Sequence, residues 1–136
     1  MKILGIEHIG IATDNLDKDA PFWKLLLNNW APDSVEVKEQ KLITEIFNIG
    51  QGKIELLEAT SPESPIAKFI DKRGKGIHHI CLLVEDIKLA MEELIEAGVE
   101  LIDKIPRVGA EGYLIAFIHP RSTGRVLVEL AEKPVG

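Results

Sequence analysis

The sequence predicts an α+β fold made of two tandem βαβββ modules. The apolar stretch of residues 76–87 has an echo at residues 5–16, and aligning His79 with His8 brings similar residues together along both. Each stretch is followed by a polar turn, a helical pattern and strand-like runs. The chain has 136 residues, enough for one domain with its own core. We therefore expect a single domain over residues 1–136, with module one at 1–60, a linker at 61–76 and module two at 77–136.

Module one begins with an alternating, Ile-rich run at residues 3–13, which predicts a strand with His8, Gly10 and Ala12 on one face. Asn15 is a candidate N-cap for a helix over 16–27. Pro21 removes a helix donor, so the effective start of this helix is expected there. The remaining strands of the module are predicted at 35–38, 43–49 and 53–59.

The linker contains a turn cluster and a short helix, predicted at residues 65–72 with Ser64 as its cap. Module two then repeats the order of the first. Its first strand is expected at 77–84, followed by a helix at 87–97 that Asp86 caps and Gly98 ends. Its other strands are predicted at 99–102, 112–118 and 125–131.

Composition narrows the functional classes. A hydrophobic fraction of 46% and a charged fraction of 28% are typical of a soluble globular protein. No apolar run has the length of a membrane span and no secretory signal is evident, so no membrane partner is expected. The net charge of −6 argues against nucleic acid as a partner. The single cysteine, Cys81, cannot form an internal disulfide, which favours a cytoplasmic location.

Two histidines and two glutamates occupy matched places in the two modules. His8 and His79 lie near the start of the first strands, and Glu55 and Glu129 lie in the last strands between apolar neighbours. A carboxylate on such a strand is costly to bury unless it is paired or bound to a metal. Mixed nitrogen and oxygen ligands suit a divalent transition metal with open coordination positions. We therefore predict a metal site formed by His8, Glu55, His79 and Glu129.

Structural roles are the alternative for each residue taken alone. Either histidine can be a satisfied core residue, and either glutamate can face solvent from a one-sided sheet. His78 falls on the opposite strand face from His79 and is expected to pack under a helix. His119, which precedes Pro120, is expected to be a turn residue.

Several motifs resemble the vicinal oxygen chelate superfamily, which has the glyoxalase fold, and within it the methylmalonyl-CoA epimerase family. The resemblance extends from about Ile6 to Leu130. The stretch at residues 8–12 is common to the superfamily. The more specific motifs are residues 54–57, 64–69, 76–81, 108–112, 117–120 and 124–130.

The resemblance implies one glyoxalase-type domain with a curved mixed β-sheet around a metal site. It implies that His8, His79 and Glu129 are ligands, with Glu55 at a position that is Gln in some members. It also implies a catalytic carboxylate before Ile43, which corresponds here to Glu39, although Lys41 stands where the family has glycine. The implied cofactor is a divalent metal ion, cobalt first, with zinc, nickel, manganese or magnesium as alternatives.

The implied activity is interconversion of (R)- and (S)-methylmalonyl-CoA by a homodimer. Removal of the proton beside the thioester carbonyl gives an enolate that a metal stabilises. Epimerisation needs acid/base groups on both sides of that carbon, and we assign Glu39 and Glu129 to these roles. The alternative for Glu39 is an exposed acidic surface residue. Arg107, Arg121 and the basic residues near 72–75 are possible phosphate ligands or simply solvated charges.

Other functions remain open from the sequence. A glyoxalase I-type lactoylglutathione lyase uses the same ligand set. A non-catalytic protein of the same fold that binds a small molecule is the alternative outside enzymology. A ring-cleaving dioxygenase fits less well, because its iron takes two histidines and one carboxylate and Glu55 would then be surplus.

Overall fold

The computed structural model describes residues 1–135, and these form two compact units. One unit consists of residues 8–78, and the other of residues 1–7 together with residues 79–135. Each module has the order β-α-β-β-β, which confirms the α+β prediction and the internal repeat. That all 136 residues form one domain stays a prediction.

The unit of residues 8–78 has a mixed four-stranded sheet. Its elements are β1 (Ile3–Ala12), α1 (Leu16–Leu26), β2 (Asp33–Val37), β3 (Leu42–Asn48), β4 (Lys53–Ala59) and α2 (Pro65–Arg73), with the first five residues of β1 belonging to the other unit. The sheet order is β2-β3-β4-β1, in which β1 runs parallel to β4 and the other pairs are antiparallel.

Helices cover parts of both faces of this sheet. On one face, Leu16 and Ala20 of α1 pack with Phe47 and Leu56. On the other, Ile66 of α2 packs with a cluster formed by Ala12, Leu42 and Leu57. Period-two alternation along the strands separates the two sets of side chains.

The second unit repeats this arrangement with β5 (Gly76–Val84, of which residues 79–84 belong to this unit), α3 (Ile87–Glu96), β6 (Arg107–Val108), β7 (Leu114–Ile118) and β8 (Val128–Glu132). The order is β5-β8-β7-β6, with β5 parallel to β8 and the other pairs antiparallel. Ile87 and Met91 of α3 pack on one face with Val84 and Leu130. The amino group of Met1 pairs with Glu93 of α3. Within residues 1–135, no helix is long and apolar enough to cross a membrane.

Two predictions about elements were wrong. Residues 99–102 form no extended strand, and only Leu101 makes an isolated bridge, to Ile118. The backbone N–H of Phe117 is instead bound by the Asp103 carboxylate, and β6 occupies the edge of the sheet. The first helix does not start at Pro21: it begins at Leu16, and Pro21 lies inside it. Capping at Asn15 and Leu16 fixes the earlier start, and Pro21 removes only one intrahelical bond.

A glutamate at the end of each module's last strand holds the start of that module's first helix. Glu58 Oε1 accepts from Leu16 N at 2.8 Å, and Glu132 Oε1 accepts from Ile87 N at 2.9 Å. These amides have no partner within their helices, and the negative charge lies at the positive end of the helix dipole. The repeat therefore conserves a clamp between strand and helix.

The end of the linker is tied to α1 by Lys75. Its ammonium group lies 3.0 Å from Oδ2 of Asp19 and 3.7 Å from Oδ1 of Asp14. The Thr13 hydroxyl donates to Asp19. The hydrogen bonds from Thr13 and then Lys75 lower the pKa of Asp19, and Asp19 raises the pKa of Lys75. The group borders a cleft of about 330 Å³ lined also by Ile11, Ala12, Lys18, Phe22, Trp23, Leu56 and Gly76.

Removal of the strand-to-helix clamp is expected to destabilise the protein. Glu132→Ala leaves the Ile87 amide without its acceptor and should lower the free energy of unfolding by about 1–2 kcal/mol. Glu132→Gln keeps a carbonyl oxygen and should lose less. Urea unfolding of the three proteins measures this, and equal losses in both variants would contradict the role of the acceptor.

The Asp19 group should make stability depend on pH in the acid range. Because its folded pKa is lowered, its contribution is complete above the unfolded pKa of about 3.9 and disappears as pH falls through the folded value. Asp19→Asn should therefore be less stable than the wild type at pH 7, with the difference shrinking below about pH 4. The matched control is Asp17→Asn, an exposed carboxylate in the same helical turn. Urea midpoints at both pH values provide the test, and an Asp19→Asn difference that stays constant with pH would contradict it.

Candidate functional site

The first module buries a histidine beside a glutamate. His8 of β1 and Glu55 of β4 are 7% and 5% exposed, and His8 Nδ1 lies 3.2 Å from Glu55 Oε2. In the parallel pairing of the two strands, Glu55 stands next to Gly10, which has no side chain. His8 is two residues earlier on the same face, so the imidazole and the carboxylate share the space above Gly10.

The second module contains the equivalent pair. His79 of β5 and Glu129 of β8 are each 6% exposed, and His79 Nε2 lies 3.0 Å from Glu129 Oε1. Glu129 stands next to Cys81 in the parallel pairing, where Glu55 has Gly10. The repeat therefore places a histidine, a small neighbour and a glutamate in the same relation in each unit.

An apolar layer surrounds the second pair. Cys81, Ile115, Phe117 and Ala131 form a buried cluster. Phe117 is the cross-strand partner of Glu129, and its ring meets His79 edge-on with 5.7 Å between centroids. A carboxylate in such surroundings is unfavourable without a compensating partner. The layer thus strengthens the electrostatic contact between Glu129 and whatever it binds.

The chemistry of both pairs fits a divalent metal. Each supplies an imidazole nitrogen and a carboxylate oxygen, and both groups are buried in β-strands that hold them in place. His8, His79 and Glu129 are among the side chains that can serve as metal ligands. Nitrogen and oxygen donors of this kind suit zinc, cobalt, nickel and other first-row ions. Glu55 offers a further carboxylate beside His8.

Glu39 differs in its setting from the four residues above. It is exposed, in a 3₁₀ turn over Lys38–Gln40 between β2 and β3. Within residues 1–135 it makes no hydrogen bond or ion pair. The histidine–glutamate contacts that link the other four residues in pairs therefore do not extend to Glu39.

The turn that contains Glu39 ends in a residue with left-handed backbone geometry. Lys41 follows the turn with φ 54° and ψ 52°, in the left-handed region that glycine adopts without strain. A lysine here costs about 1 kcal/mol in backbone strain but permits the same turn. The buried Ser64 fixes the turn from the linker, because its hydroxyl donates to the Gln40 carbonyl at 3.1 Å.

The other histidines have the structural roles that their positions predicted. His78 meets the ring of Phe69 in α2 edge-on, with 4.9 Å between centroids, so the helix that it packs against is the linker helix. His119 caps the turn Pro120–Ser122 and accepts a hydrogen bond from Arg121 N at 3.1 Å.

Two features near the pairs were missed by sequence reasoning. Asp103 bridges Arg107 and the Phe117 backbone, with Oδ1 to Arg107 Nε at 3.0 Å and Oδ2 to Phe117 N at 2.8 Å. Thr44 is 1% exposed, and its hydroxyl has no hydrogen-bond partner in the described part of the chain. The one sequence signal for the first feature was the position of Asp103 four residues before Arg107, a spacing that indicates an ion pair only within a helix. No sequence signal marked Thr44.

Comparison with known proteins agrees with this arrangement. Residues 7–117 match the model of the Glyoxalase/Bleomycin resistance protein/Dioxygenase superfamily. The uncharacterized protein YqjC of Bacillus subtilis is 39% identical over 127 residues, which are 93% of this chain and 91% of that protein. The mitochondrial methylmalonyl-CoA epimerase of Dictyostelium discoideum is 39% identical over 129 residues, covering 94% of this chain and 78% of that protein.

A solved structure shows the same likeness in three dimensions. The methylmalonyl-CoA epimerase from Mycobacterium tuberculosis superposes with a TM-score of 0.88 at 30% identity, over 98% of this chain and 90% of that one. The resemblance inferred from the sequence motifs is thereby confirmed. The chain belongs to the glyoxalase/bleomycin resistance protein/dioxygenase superfamily and, within it, to the family of the methylmalonyl-CoA epimerases.

Proposed function

We propose that this protein is a metal-dependent epimerase that interconverts (R)- and (S)-methylmalonyl-CoA. The observation that carries the proposal is the pair of buried His–Glu contacts at equivalent positions of the repeat. Membership of the epimerase family supplies the substrate class, an acyl-CoA whose acyl group has an acidic C2 hydrogen.

We further propose that His8, Glu55, His79 and Glu129 bind one divalent metal ion, with cobalt as the first choice and zinc, nickel, manganese or magnesium as alternatives. The support is the donor set of each pair and its burial. When bound, such an ion acts as a Lewis acid that stabilises negative charge on the substrate's carbonyl oxygen. The apolar layer around His79 and Glu129 excludes water and strengthens that interaction.

Two carboxylates move the proton in this proposal. Glu129, buried beside His79, is assigned to one face of C2. Glu39 is assigned to the other face. Its support is the family position and the turn that Ser64 and Lys41 hold in place, while its exposure requires the substrate to cover it.

The proposal includes a homodimer in the cytoplasm. Phe22, Leu25 and Leu26 of α1 are 58–69% exposed, as is Trp30 just after it at 61%. Phe22, Leu25 and Leu26 are neighbours on one side of the helix, and exposed apolar side chains grouped in this way are typical of an interface. The cytoplasmic setting rests on the single, buried Cys81.

Metal-loaded protein should catalyse exchange of the C2 hydrogen of methylmalonyl-CoA with solvent deuterium and interconvert the epimers. Chelation should abolish both reactions, and added cobalt should restore them. Glu129→Gln is expected to lower kcat by about 10²–10⁴-fold. Mass spectrometry and a chiral coupled assay follow exchange and epimerisation.

The Glu39 assignment has its own readout in the same assay. Glu39→Gln should retain exchange with one epimer, through Glu129, while epimerisation falls by about 10²–10⁴-fold. Glu36→Gln, an exposed acidic residue of the neighbouring strand, is the control. Full epimerase activity of Glu39→Gln would remove Glu39 from the mechanism. Wild-type protein that leaves C2 unexchanged but isomerises a glutathione hemithioacetal would replace the epimerase with a lyase.

Metal analysis tests the shared ligand set without any activity. Wild-type protein is expected to hold one metal ion per chain, and both His8→Ala and His79→Ala should hold far less. His119→Ala, which changes only a surface turn, should keep the wild-type content. Elemental analysis after gel filtration gives the stoichiometry. Loss of metal in only one of the first two variants would contradict a site shared by both modules.

A further inference from the structure

Arg107 occupies the edge strand next to the His79–Glu129 pair. In the pairing of β6 with β7, Arg107 stands opposite Ile115. Opposite residues of an antiparallel pair lie on the same face, and Phe117 is two residues further along that face. Since Phe117 is itself the partner of Glu129, the side chain of Arg107 belongs to the face that bears Glu129.

The contacts of Arg107 hold its guanidinium beside Phe117. Nε donates to Asp103, whose other oxygen binds the backbone of Phe117. The guanidinium carbon lies 5.8 Å from the centroid of the Phe117 ring, and the same ring meets His79 edge-on. Asp103 thus orients the cation, and Phe117 contacts both the cation and His79.

The outer edge of the Arg107 guanidinium is available to bind a ligand. The Asp103 contact uses Nε, and the terminal nitrogens Nη1 and Nη2 donate no hydrogen bond to another group of residues 1–135. Two parallel N–H groups match the two oxygens of a carboxylate. With a side chain 35% exposed, Arg107 is reachable yet partly desolvated, which strengthens a charge-assisted bond.

Arg121, in the same unit, is a solvent-exposed arginine with which Arg107 can be compared. Its side chain is 71% exposed, and its Nη2 donates to Glu100 at 2.8 Å. One of its terminal nitrogens is therefore already bonded to a neighbouring carboxylate at the protein surface. The sequence alone did not distinguish Arg107 from Arg121, whereas their exposure and contacts in the structure do.

We propose that Arg107 binds the free carboxylate of the substrate's malonyl group and so selects a malonyl thioester over a simple acyl thioester. This inference rests on the proposed epimerase function. The guanidinium and the His79 ring both contact the Phe117 ring, which is the cross-strand partner of Glu129. The phosphates of CoA are set apart from the acyl group by the whole pantetheine chain. A site that binds a carboxylate discriminates strongly against an analogue without it, because the guanidinium is then left without its charged partner.

Binding of three ligands to metal-loaded protein separates the possible partners of Arg107. The ligands are methylmalonyl-CoA, propionyl-CoA, which lacks the carboxylate, and methylmalonyl-pantetheine, which lacks the phosphates. Arg107→Gln should weaken methylmalonyl-CoA and methylmalonyl-pantetheine by about 10–100-fold each and leave propionyl-CoA unchanged. Arg107→Lys should fall between, and Arg121→Gln should match the wild type. Isothermal titration calorimetry gives the dissociation constants, and thermal unfolding verifies that each variant is folded.

Three outcomes overturn the proposal. Equal weakening of methylmalonyl-CoA and propionyl-CoA, with methylmalonyl-pantetheine unaffected, would assign Arg107 to phosphate. Unchanged affinities in Arg107→Gln and Arg107→Lys would remove it from recognition, as would wild-type protein that gains no affinity from the carboxylate. Wild-type protein that shows the expected selectivity but no exchange at C2 would overturn the epimerase function and leave the Arg107 assignment standing.

Discussion

The cost of burying a carboxylate inside an apolar sheet face is the constraint on which the rest of this structure depends. Glu55 and Glu129 are each about 95% removed from solvent, and each has an imidazole within about 3 Å. The residue beside each carboxylate on the neighbouring strand is small, Gly10 in one module and Cys81 in the other. Small neighbours leave room beside each carboxylate for its histidine partner.

The last strand of each module has two roles because of its alternation. Glu55 and Glu58 are three residues apart and therefore point to opposite faces of β4, as do Glu129 and Glu132 in β8. One carboxylate of each strand faces the histidine, and the other holds the N-terminus of the helix that packs on the opposite face. A shift of register by one residue would break both contacts together. The pairing of parallel strands is thus specified from both faces.

The sequence predicted the order of elements, singled out His8, Glu55, His79 and Glu129 as one set, and separated His79 from His78. These predictions rest on period-two alternation and on an internal repeat, which are local signals. Residues 99–102 were mistaken for a strand because their apolar pattern does not reveal that the Asp103 carboxylate binds the Phe117 amide. Lys41 was hard to interpret for a similar reason, since its positive φ depends on the turn that Ser64 holds.

The repeat also shows where the two modules must differ. Register pairs Phe117 with Glu129 and Ile46 with Glu55, so Ile115 corresponds to Thr44 and Arg107 to Val35. The buried histidine–glutamate pair is duplicated, but the arginine has no counterpart at the equivalent edge position. An epimerase substrate is asymmetric in the same way, because only one of the two carbonyl groups on C2 is a free carboxylate. Both epimers must keep that carboxylate in one place while the hydrogen moves between faces. In the proposed complex, Arg107 would meet this requirement, because Asp103 and Phe117 already hold its guanidinium.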